Sequence, residues 1–172
     1  MIERVAIGSL DTPIGVLWMA CSERGACKVV FPGGGSKATL DHWLAAHLPT
    51  GEQTTTSALL EQTCAELGEY FAGIRHDFTL PVDLRGSPFS QRVWMALINI
   101  PYGRTVSYGM LARTLGAPKA ARAVGAACGA NPVPIIAPCH RVLGSDGSLH
   151  GFGGGLPVKA WLLRHEGVLL DL

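Results

Sequence analysis

The most informative stretch of this chain is residues 131–142, which read NPVPIIAPCHRV. Its prolines fix their own φ angles and push the preceding residues toward extended conformations, so we predict a stiff, non-helical track. The track leads to one cysteine, Cys139, which lies between a proline and His140. A rigidly held thiol suits nucleophilic attack, and an adjacent imidazole offers a route to the reactive thiolate.

The same residues also have a purely structural interpretation. Cysteine is among the most frequently buried residue types and often does nothing but pack. Successive side chains of an extended segment point to opposite faces, so contact between Cys139 and His140 needs a bend in the chain or a bridging water. The spacing alone therefore leaves both a nucleophile and a packing cysteine open.

Length and composition indicate an ordinary globular protein. The 172 residues can bury a core as one domain or two, and a composition of 48% hydrophobic and 16% charged residues excludes a disordered chain. No apolar run approaches the roughly 20 residues of a membrane span, and the first residues lack the apolar core of a signal peptide. Five scattered cysteines do not resemble a disulfide framework. We expect a cytoplasmic protein without membrane association.

Charge is distributed unevenly along the chain. Residues 1–85 hold six Lys and Arg against ten Asp and Glu, whereas residues 86–172 hold eight against three. The change coincides with the run Arg85-Gly86-Ser87-Pro88. We therefore predict two domains, 1–85 and 86–172, of which only the second meets a polyanion; ordinary solvated faces are the alternative explanation.

The pattern of the first domain predicts a small antiparallel sheet with helices. Turn residues separate short apolar runs at 5–9, 16–20 and 27–31, and a last strand is expected over 78–84. Helices are predicted over 37–48 and 57–72, with a polar connection at 49–56. The glycine run 33–35 is expected to be a flexible connector.

The second domain is predicted to be mostly helical. Ser87 and Pro88 are typical of a helix start. Two short helices, 107–115 and 119–128, fit a helix-turn-helix. The Asp-Gly pair at 146–147 predicts a hairpin that resembles a wing, and a final helix runs from Pro157 to Gly167.

The predicted helix 119–128 has an unusual composition. It consists almost entirely of small residues around one long cation, Arg122. Small residues allow close approach to another surface, which fits both a buried packing helix and a helix that contacts nucleic acid. The composition alone does not decide between the two.

Together, these features resemble the O6-alkylguanine-DNA alkyltransferases, also called methylated-DNA–protein-cysteine methyltransferases. The similarity covers nearly all of residues 86–172 and, more loosely, residues 1–85. It implies an α+β fold in which a ribonuclease H-like amino-terminal domain precedes a winged helix-turn-helix domain. The segments that carry it are Asn131-Pro132-Val133-Pro134-Ile135, Pro138-Cys139-His140-Arg141-Val142, Ala120-Ala121-Arg122-Ala123-Val124-Gly125, Val106-Ser107-Tyr108, His165-Glu166-Gly167 and, in the first domain, residues 10–15.

The resemblance implies a DNA repair protein that transfers alkyl groups from O6-alkylguanine, and also from O4-alkylthymine, to its own Cys139. Water does not cleave the resulting thioether, so each molecule would act once. The resemblance assigns His140 as the base that acts on Cys139 through a water, and Glu166 as the group that orients His140. Asn131 would hold the site by hydrogen bonding.

The implied partner is double-stranded DNA that contains alkylated guanine. Such a base must be flipped out of the stack, and the resemblance assigns Arg122 to the vacated space and Tyr108 to the phosphate. The residues expected to contact DNA are Arg122, Tyr108, Ala121, Ala123, Gly125 and Arg141. The residues expected to line the pocket of the flipped base are Tyr108, Val142, Phe152 and Gly153.

We expect no metal, no cofactor and no obligate protein partner. Some relatives carry a structural zinc in the amino-terminal domain, held by cysteines and histidines. Here Cys21 and Cys27 have the right chemistry, but the sequence offers no convincing fourth ligand.

Two rival functions remain at this point. A thiol hydrolase could use Cys139, His140 and Glu166 as a triad, but no glycine-flanked nucleophile elbow surrounds the cysteine. A non-catalytic lesion sensor would bind the same DNA without a nucleophile, and Cys139 argues against it.

Overall fold

The chain divides into two units between Arg85 and Gly86. The computed structural model describes residues 2–33 and 36–170, so Gly34 and Gly35 of the expected glycine connector lie outside the described residues. Over the described residues, the first unit combines a four-stranded sheet with two helices, and the second combines four α-helices with a two-stranded sheet. The predicted α+β class is confirmed.

The first unit contains the strands β1 Arg4–Thr12, β2 Gly15–Cys21, β3 Ala26–Val30 and β4 Glu52–Thr54. They form one sheet in the order β3, β2, β1, β4. Strands β1, β2 and β3 form the predicted antiparallel meander. Strand β4 pairs in parallel with β1 in the stretch predicted to be a polar connection. Its three residues are polar and largely exposed, so no apolar alternation marked it.

Two helices, α1 (Ser36–His47) and α2 (Ala58–Phe71), cover opposite faces of this sheet. On one face, Val5 of β1 packs in a cluster with Leu40 of α1. On the other, Gly8 of β1 lies against Leu60 of α2, where an added Cβ would come within 3.1 Å of the leucine side chain. Residues an odd number apart in a strand face opposite sides, so both faces are buried.

The strand predicted over 78–84 is wrong. This segment makes a single bridge, between Val82 and Ala26 of β3. Pro81 accepts a hydrogen bond from Ala26 N at 3.0 Å but has no amide hydrogen to return, and Asp83 N donates to Ala26 O at 2.8 Å. The proline therefore limits the pairing to one residue.

The second unit has its helices close to the predicted positions. The hydroxyls of Ser87 and Ser107 accept hydrogen bonds from the first turns of the helices that follow them, at 3.2 and 3.1 Å. In the described part of the chain, no helix has the length and apolar content needed to cross a membrane. The helix bounds are α3 Pro88–Ile98, α4 Tyr108–Thr114, α5 Ala121–Gly129 and α6 Leu156–His165.

Helices α4 and α5 form the helix-turn-helix, and α5 also packs against α3. The turn between them uses Gly116 in the left-handed region, with φ +71°. The buried indole of Trp94 in α3 donates a hydrogen bond to the carbonyl of Ala127 at 2.8 Å. These contacts hold one side of α5 against its neighbouring helices, where small residues allow close packing. Small residues also occupy the opposite side, which is exposed.

The hairpin predicted after Arg141 forms only in part. Its turn is present, because Gly144 N donates to Ser148 O at 2.9 Å and Gly147 has φ +80°. The arm after the turn forms no strand. Instead, β6 (Val142–Leu143) pairs in parallel with β5 (Val106–Ser107). The second arm is rich in glycine, which disfavours strand pairing.

Candidate active site

The loop that carries Cys139 is buried and internally hydrogen-bonded. The side chain of Asn131 donates to Ala137 O at 2.7 Å and accepts from Val133 N at 3.0 Å. Ile135 has φ +73°, a strained conformation for a β-branched residue that persists only where its surroundings enforce it. The predicted stiff track is therefore held by one asparagine that links its two ends.

Cys139, His140 and Arg141 form a short 3₁₀ turn rather than an extended segment. The turn supplies the bend that contact between neighbouring side chains requires. Even so, His140 makes no direct hydrogen bond to the thiol. Its Nδ1 is the one buried side-chain nitrogen or oxygen among the described residues that lacks a hydrogen-bond partner.

A buried carboxylate, Glu166, organises this turn. His140 Nε2 lies 2.8 Å from Glu166 Oε1. Arg141 makes a two-pronged interaction, with Nε donating to Oε2 at 2.9 Å and Nη2 donating to Oε1 at 2.8 Å. Burial raises the pKa of Glu166, but hydrogen bonds from His140 and Arg141 outweigh it and hold the pKa well below its usual range. Glu166 caps the carboxyl end of α6, where a negative charge opposes the helix dipole, and these two donors compensate that charge.

These partners also settle which nitrogen of His140 carries the proton. Burial lowers the pKa of His140, against the opposing effect of Glu166, so the imidazole is neutral. An ionised carboxylate can only accept, so Nε2 carries the hydrogen and donates it to Glu166. Nδ1 is then the unprotonated nitrogen, with a free lone pair inside the protein.

Arg141, one of the residues predicted to contact DNA, is held inside the second unit. The residue is buried, and besides its two bonds to Glu166 its Nη1 donates to Ile100 O at 2.6 Å. Reaching a phosphate would leave Glu166 with a buried, poorly compensated charge. In this structure Arg141 supports Glu166, the partner of His140, and its contact with DNA stays a prediction.

The thiol of Cys139 is itself buried. Burial raises its pKa, while the Asn131 side chain, the charge of Lys159 and the backbone N–H groups of Cys139 and His140 act in the opposite direction. The rise prevails, so the resting thiol is protonated and needs a base to react.

Helix α5 presents the other predicted contact residues. Arg122 and Ala123 are exposed, whereas Ala121 and Gly125 are half-buried. Gly125 faces Tyr108, whose ring would lie 3.8 Å from an added Cβ. Burial raises the pKa of Tyr108 to about 12, so its hydroxyl stays protonated and can donate.

Three of the four residues predicted to line the pocket, Tyr108, Val142 and Phe152, lie close to one lysine. This lysine, Lys159, was not among the predicted site residues. Lys159 Nζ lies 6.0 Å from the Tyr108 ring and 5.9 Å from the Phe152 ring, and it donates to Val142 O at 2.7 Å. The fourth, Gly153, is exposed.

The sequence contained a signal for this lysine. Lys159, Leu162, Leu163 and Glu166 are spaced as i, i+3, i+4 and i+7, the pattern of one helix face. A polar residue in line with two leucines on that face predicts a buried position.

The described residues include no group of three or more His, Cys, Asp or Glu side chains that could hold a metal ion. Cys21 lies 3.4 Å from Thr63 Oγ1, and Cys27 donates to Ala20 O at 3.3 Å. Burial raises the pKa of Cys21 to about 11 and that of Cys27 to about 12, so both thiols are protonated.

Comparison with known proteins matches both units to one family. Residues 5–84 match the ribonuclease-like domain of 6-O-methylguanine DNA methyltransferase, and residues 88–168 match its DNA-binding domain. The chain is 42% identical over 162 residues to a methylated-DNA–protein-cysteine methyltransferase of Shigella flexneri, covering 94% of this chain and 95% of the relative. It is 43% identical over 158 residues to one of Mycobacterium tuberculosis, covering 92% and 90%.

Solved structures agree with these matches. The crystal structure of M. tuberculosis O6-methylguanine methyltransferase superposes with a TM-score of 0.79 at 41% identity, covering 95% of this chain and 93% of that one. The M. tuberculosis protein OGT in complex with DNA gives a TM-score of 0.78 at 40% identity, covering 96% and 92%. The expected ribonuclease-like and DNA-binding architecture is thereby confirmed.

The buried position of Arg141 yields a prediction about stability. Replacing Arg141 with alanine should lower the free energy of unfolding by about 3–5 kcal/mol at pH 7, because it leaves Glu166 buried with too few partners. A carboxylate whose pKa is lowered by folding stabilises the folded state at pH values above its pKa in the unfolded chain, about 4.3 for glutamate. This stabilisation is lost as the pH falls below that value. Urea titrations should therefore show a smaller difference between the two proteins at pH 3 than at pH 7.

The exposed Arg122 provides the matched control, since its replacement with alanine should change stability by no more than about 0.5 kcal/mol. An Arg141→Ala protein of normal stability that had lost only salt-sensitive DNA binding would contradict the structural role and support the predicted DNA contact.

Proposed function

The chain belongs to the methylated-DNA–protein-cysteine methyltransferase family, and we propose that it repairs alkylated DNA by moving the alkyl group irreversibly onto its own Cys139. The substrate is O6-alkylguanine in double-stranded DNA, and O4-alkylthymine is a further expected substrate. The observation that carries the assignment is a rigidly held, buried thiol next to a neutral histidine that an ionised glutamate orients.

The reaction needs no metal or recycled cofactor. A water passes the proton of the Cys139 thiol to Nδ1 of His140, the nitrogen with a free lone pair. The thiolate attacks the alkyl carbon, and the bond between that carbon and O6 breaks. The departing nucleobase takes up the proton that His140 received, returned through water, and leaves as guanine. The product is a thioether, which has no hydrolysable bond, so one chain accepts one alkyl group.

Glu166 and Arg141 act through His140. The carboxylate favours the protonated imidazole, since it raises the pKa of His140 against the effect of burial. Arg141 keeps that carboxylate ionised and fixed in place. Asn131 supports the thiolate, because its hydrogen bonding opposes the burial-driven rise in the pKa of Cys139.

Recognition of DNA is assigned to residues 86–172, which we propose as the DNA-binding and catalytic domain. The exposed side of α5 carries Arg122 and Ala123 and otherwise small side chains. Such a surface suits the minor groove, which is only about 6 Å wide. Arg122 fills the space left by the flipped base, and Tyr108 stands between α5 and the pocket.

The pocket for the flipped base is proposed to lie between Tyr108, Val142, Phe152 and Gly153. The two aromatic rings offer stacking surfaces, and the protonated Tyr108 hydroxyl offers a hydrogen-bond donor. A cytoplasmic location completes the proposal, and it is supported by the five free cysteines.

Intact-mass analysis tests the acceptor directly. After incubation with a duplex that contains O6-methylguanine, each chain should gain the mass of one methyl group, and peptide mapping should place it on Cys139. Cys139→Ala should stay unmodified. Cys128→Ala is the matched control and should still accept one methyl, because Cys128 is a buried thiol on α5 rather than the nucleophile.

Methyl on any other cysteine would contradict the proposal. Release of more than one guanine per chain would instead favour a hydrolytic enzyme.

Arg122 should matter for base flipping more than for chemistry. Arg122→Ala should repair duplex DNA roughly ten- to a hundredfold more slowly, because extrusion costs a few kcal/mol that the arginine offsets. Its reaction with free O6-benzylguanine should stay close to wild type, since a free base needs no extrusion. Arg24→Ala, an exposed arginine in the first unit, should leave both rates unchanged. Equal losses on duplex and free base would assign Arg122 to the fold or the pocket.

A further inference from the structure

A cavity on the second unit takes no part in the proposed chemistry. It has a volume of about 830 Å³ and lies between α6, the turn at residues 146–149 and the segment that follows α6. A volume in this range is typical of small-molecule sites in proteins. None of the four residues proposed to hold the flipped base lines it. We call this cavity the wing groove, and its lining includes Leu143, Leu149, Leu156, Arg164, Val168 and Leu169.

The helix wall of the wing groove follows from the period of α6. Leu156, Ala160 and Arg164 recur at every fourth position and therefore lie on one stripe of the helix. The buried face of the helix is a different one, which carries Leu162 and Leu163. Helix α6 thus packs one face into the core of the second unit and presents the neighbouring stripe to the groove.

The segment after α6 forms a second wall because of the way the helix ends. Gly167 has φ +83° and its N–H donates to Arg164 O at 2.9 Å, while the N–H of Val168 donates to Leu163 O at 2.9 Å. This is the Schellman pattern, in which a left-handed glycine ends a helix. The chain turns at that glycine, so Val168 and Leu169 lie beside the helix stripe and line the groove with it.

Apolar side chains in this groove are exposed to solvent. Leu169 is 96% exposed and Leu156 is 43% exposed. They are two of the four large apolar side chains that are exposed in the described residues of the second unit. The other two, Met95 on α3 and Met110 on α4, do not line the groove. Exposed apolar side chains that cluster at one cavity are typical of a binding site.

One cation stands among these apolar walls. Arg164 is exposed, and its side chain forms no ion pair or hydrogen bond with any residue that the structure describes. Asp146 also lines the groove, but its Oδ1 already accepts from the backbone N–H of Ser148 at 3.0 Å and from the Ser148 hydroxyl at 2.6 Å. A guanidinium in this situation can bind a carboxylate through two parallel hydrogen bonds. The groove therefore combines apolar walls with one site for an anion.

We propose that the wing groove binds a linear aliphatic carboxylate, whose chain lies against Leu156 and Leu169 and whose carboxylate pairs with Arg164. An uncharged chain would leave the guanidinium without a partner, and a small anion would leave the leucines in water. An ammonium head would meet a like charge at Arg164. The inference goes beyond the proposed repair reaction, because the lining of the groove includes none of the residues proposed for the base pocket.

Calorimetric titration of the full chain with dodecanoate, below the concentration at which it forms micelles, tests the inference. We expect one saturable site. Decanoate should bind roughly tenfold more weakly, because each methylene removed from water contributes a factor of about four. Dodecylammonium should bind at least about tenfold more weakly than dodecanoate, because its head group cannot accept from Arg164 and is repelled by it.

Two variants separate the anion site from the apolar wall. Arg164→Gln should weaken dodecanoate binding about tenfold, the effect of losing a hydrogen bond between charged groups, and it should fold normally because Arg164 is exposed. Leu169→Ser keeps the arginine and should weaken binding through lost apolar contact. Arg113→Gln, which removes an exposed arginine of α4, is the matched control and should bind like the wild type.

The inference is overturned if the wild type shows no saturable binding, if dodecylammonium binds as tightly as dodecanoate, or if Arg164→Gln or Leu169→Ser binds like the wild type. Displacement of dodecanoate by O6-benzylguanine would place the ligand in the base pocket and would also overturn it. Binding is measured here without DNA or alkyl transfer, so a failure of the proposed function would leave this result unaffected.

Discussion

A single buried carboxylate, that of Glu166, is the interaction on which the second unit depends. It joins three parts of the chain: the end of α6, the turn at Cys139–Arg141, and the segment after α3, where Gly103 N lies 3.4 Å from Oε2. Because Arg141 and His140 both donate to it, the carboxylate is ionised. That charge in turn selects the tautomer of His140 and leaves its Nδ1 as a base. The fold and the proposed chemistry thus share one group.

The two buried cations near this carboxylate have opposite energetic roles. Arg141 is paired with Glu166, so removing the arginine would leave the buried charge of Glu166 poorly compensated and destabilise the fold. Lys159 has only carbonyls as hydrogen-bond acceptors, so it carries such a cost in the native protein. Both cations are buried to a similar extent, so burial does not distinguish them. Their partners do: Arg141 has a carboxylate and stabilises the fold, whereas Lys159 has only carbonyls and does not.

Local signals in the sequence were sufficient where structure depends on neighbouring residues. Serine caps, the glycine between two helices and the proline-rich run predicted the elements around Cys139, and each is present. Predictions that depended on distant partners were less successful. Val82 forms only one bridge in place of the predicted strand. The inward position of Arg141 was not predicted either, because its partner Glu166 lies 25 residues away. A basic side chain looks alike in sequence whether it faces solvent or a buried carboxylate.

The central claim is that Glu166 activates Cys139 through His140, and the pH dependence of Glu166→Gln tests it most directly. The rate of transfer from free O6-benzylguanine to Cys139, measured from pH 6 to 9 on folded protein, excludes any effect on DNA binding. At pH 7 the rate for Glu166→Gln should be at least about tenfold below that of wild type. The two rates should converge as the pH rises, because hydroxide replaces the weakened base. Superimposable profiles for the two proteins would contradict the claim.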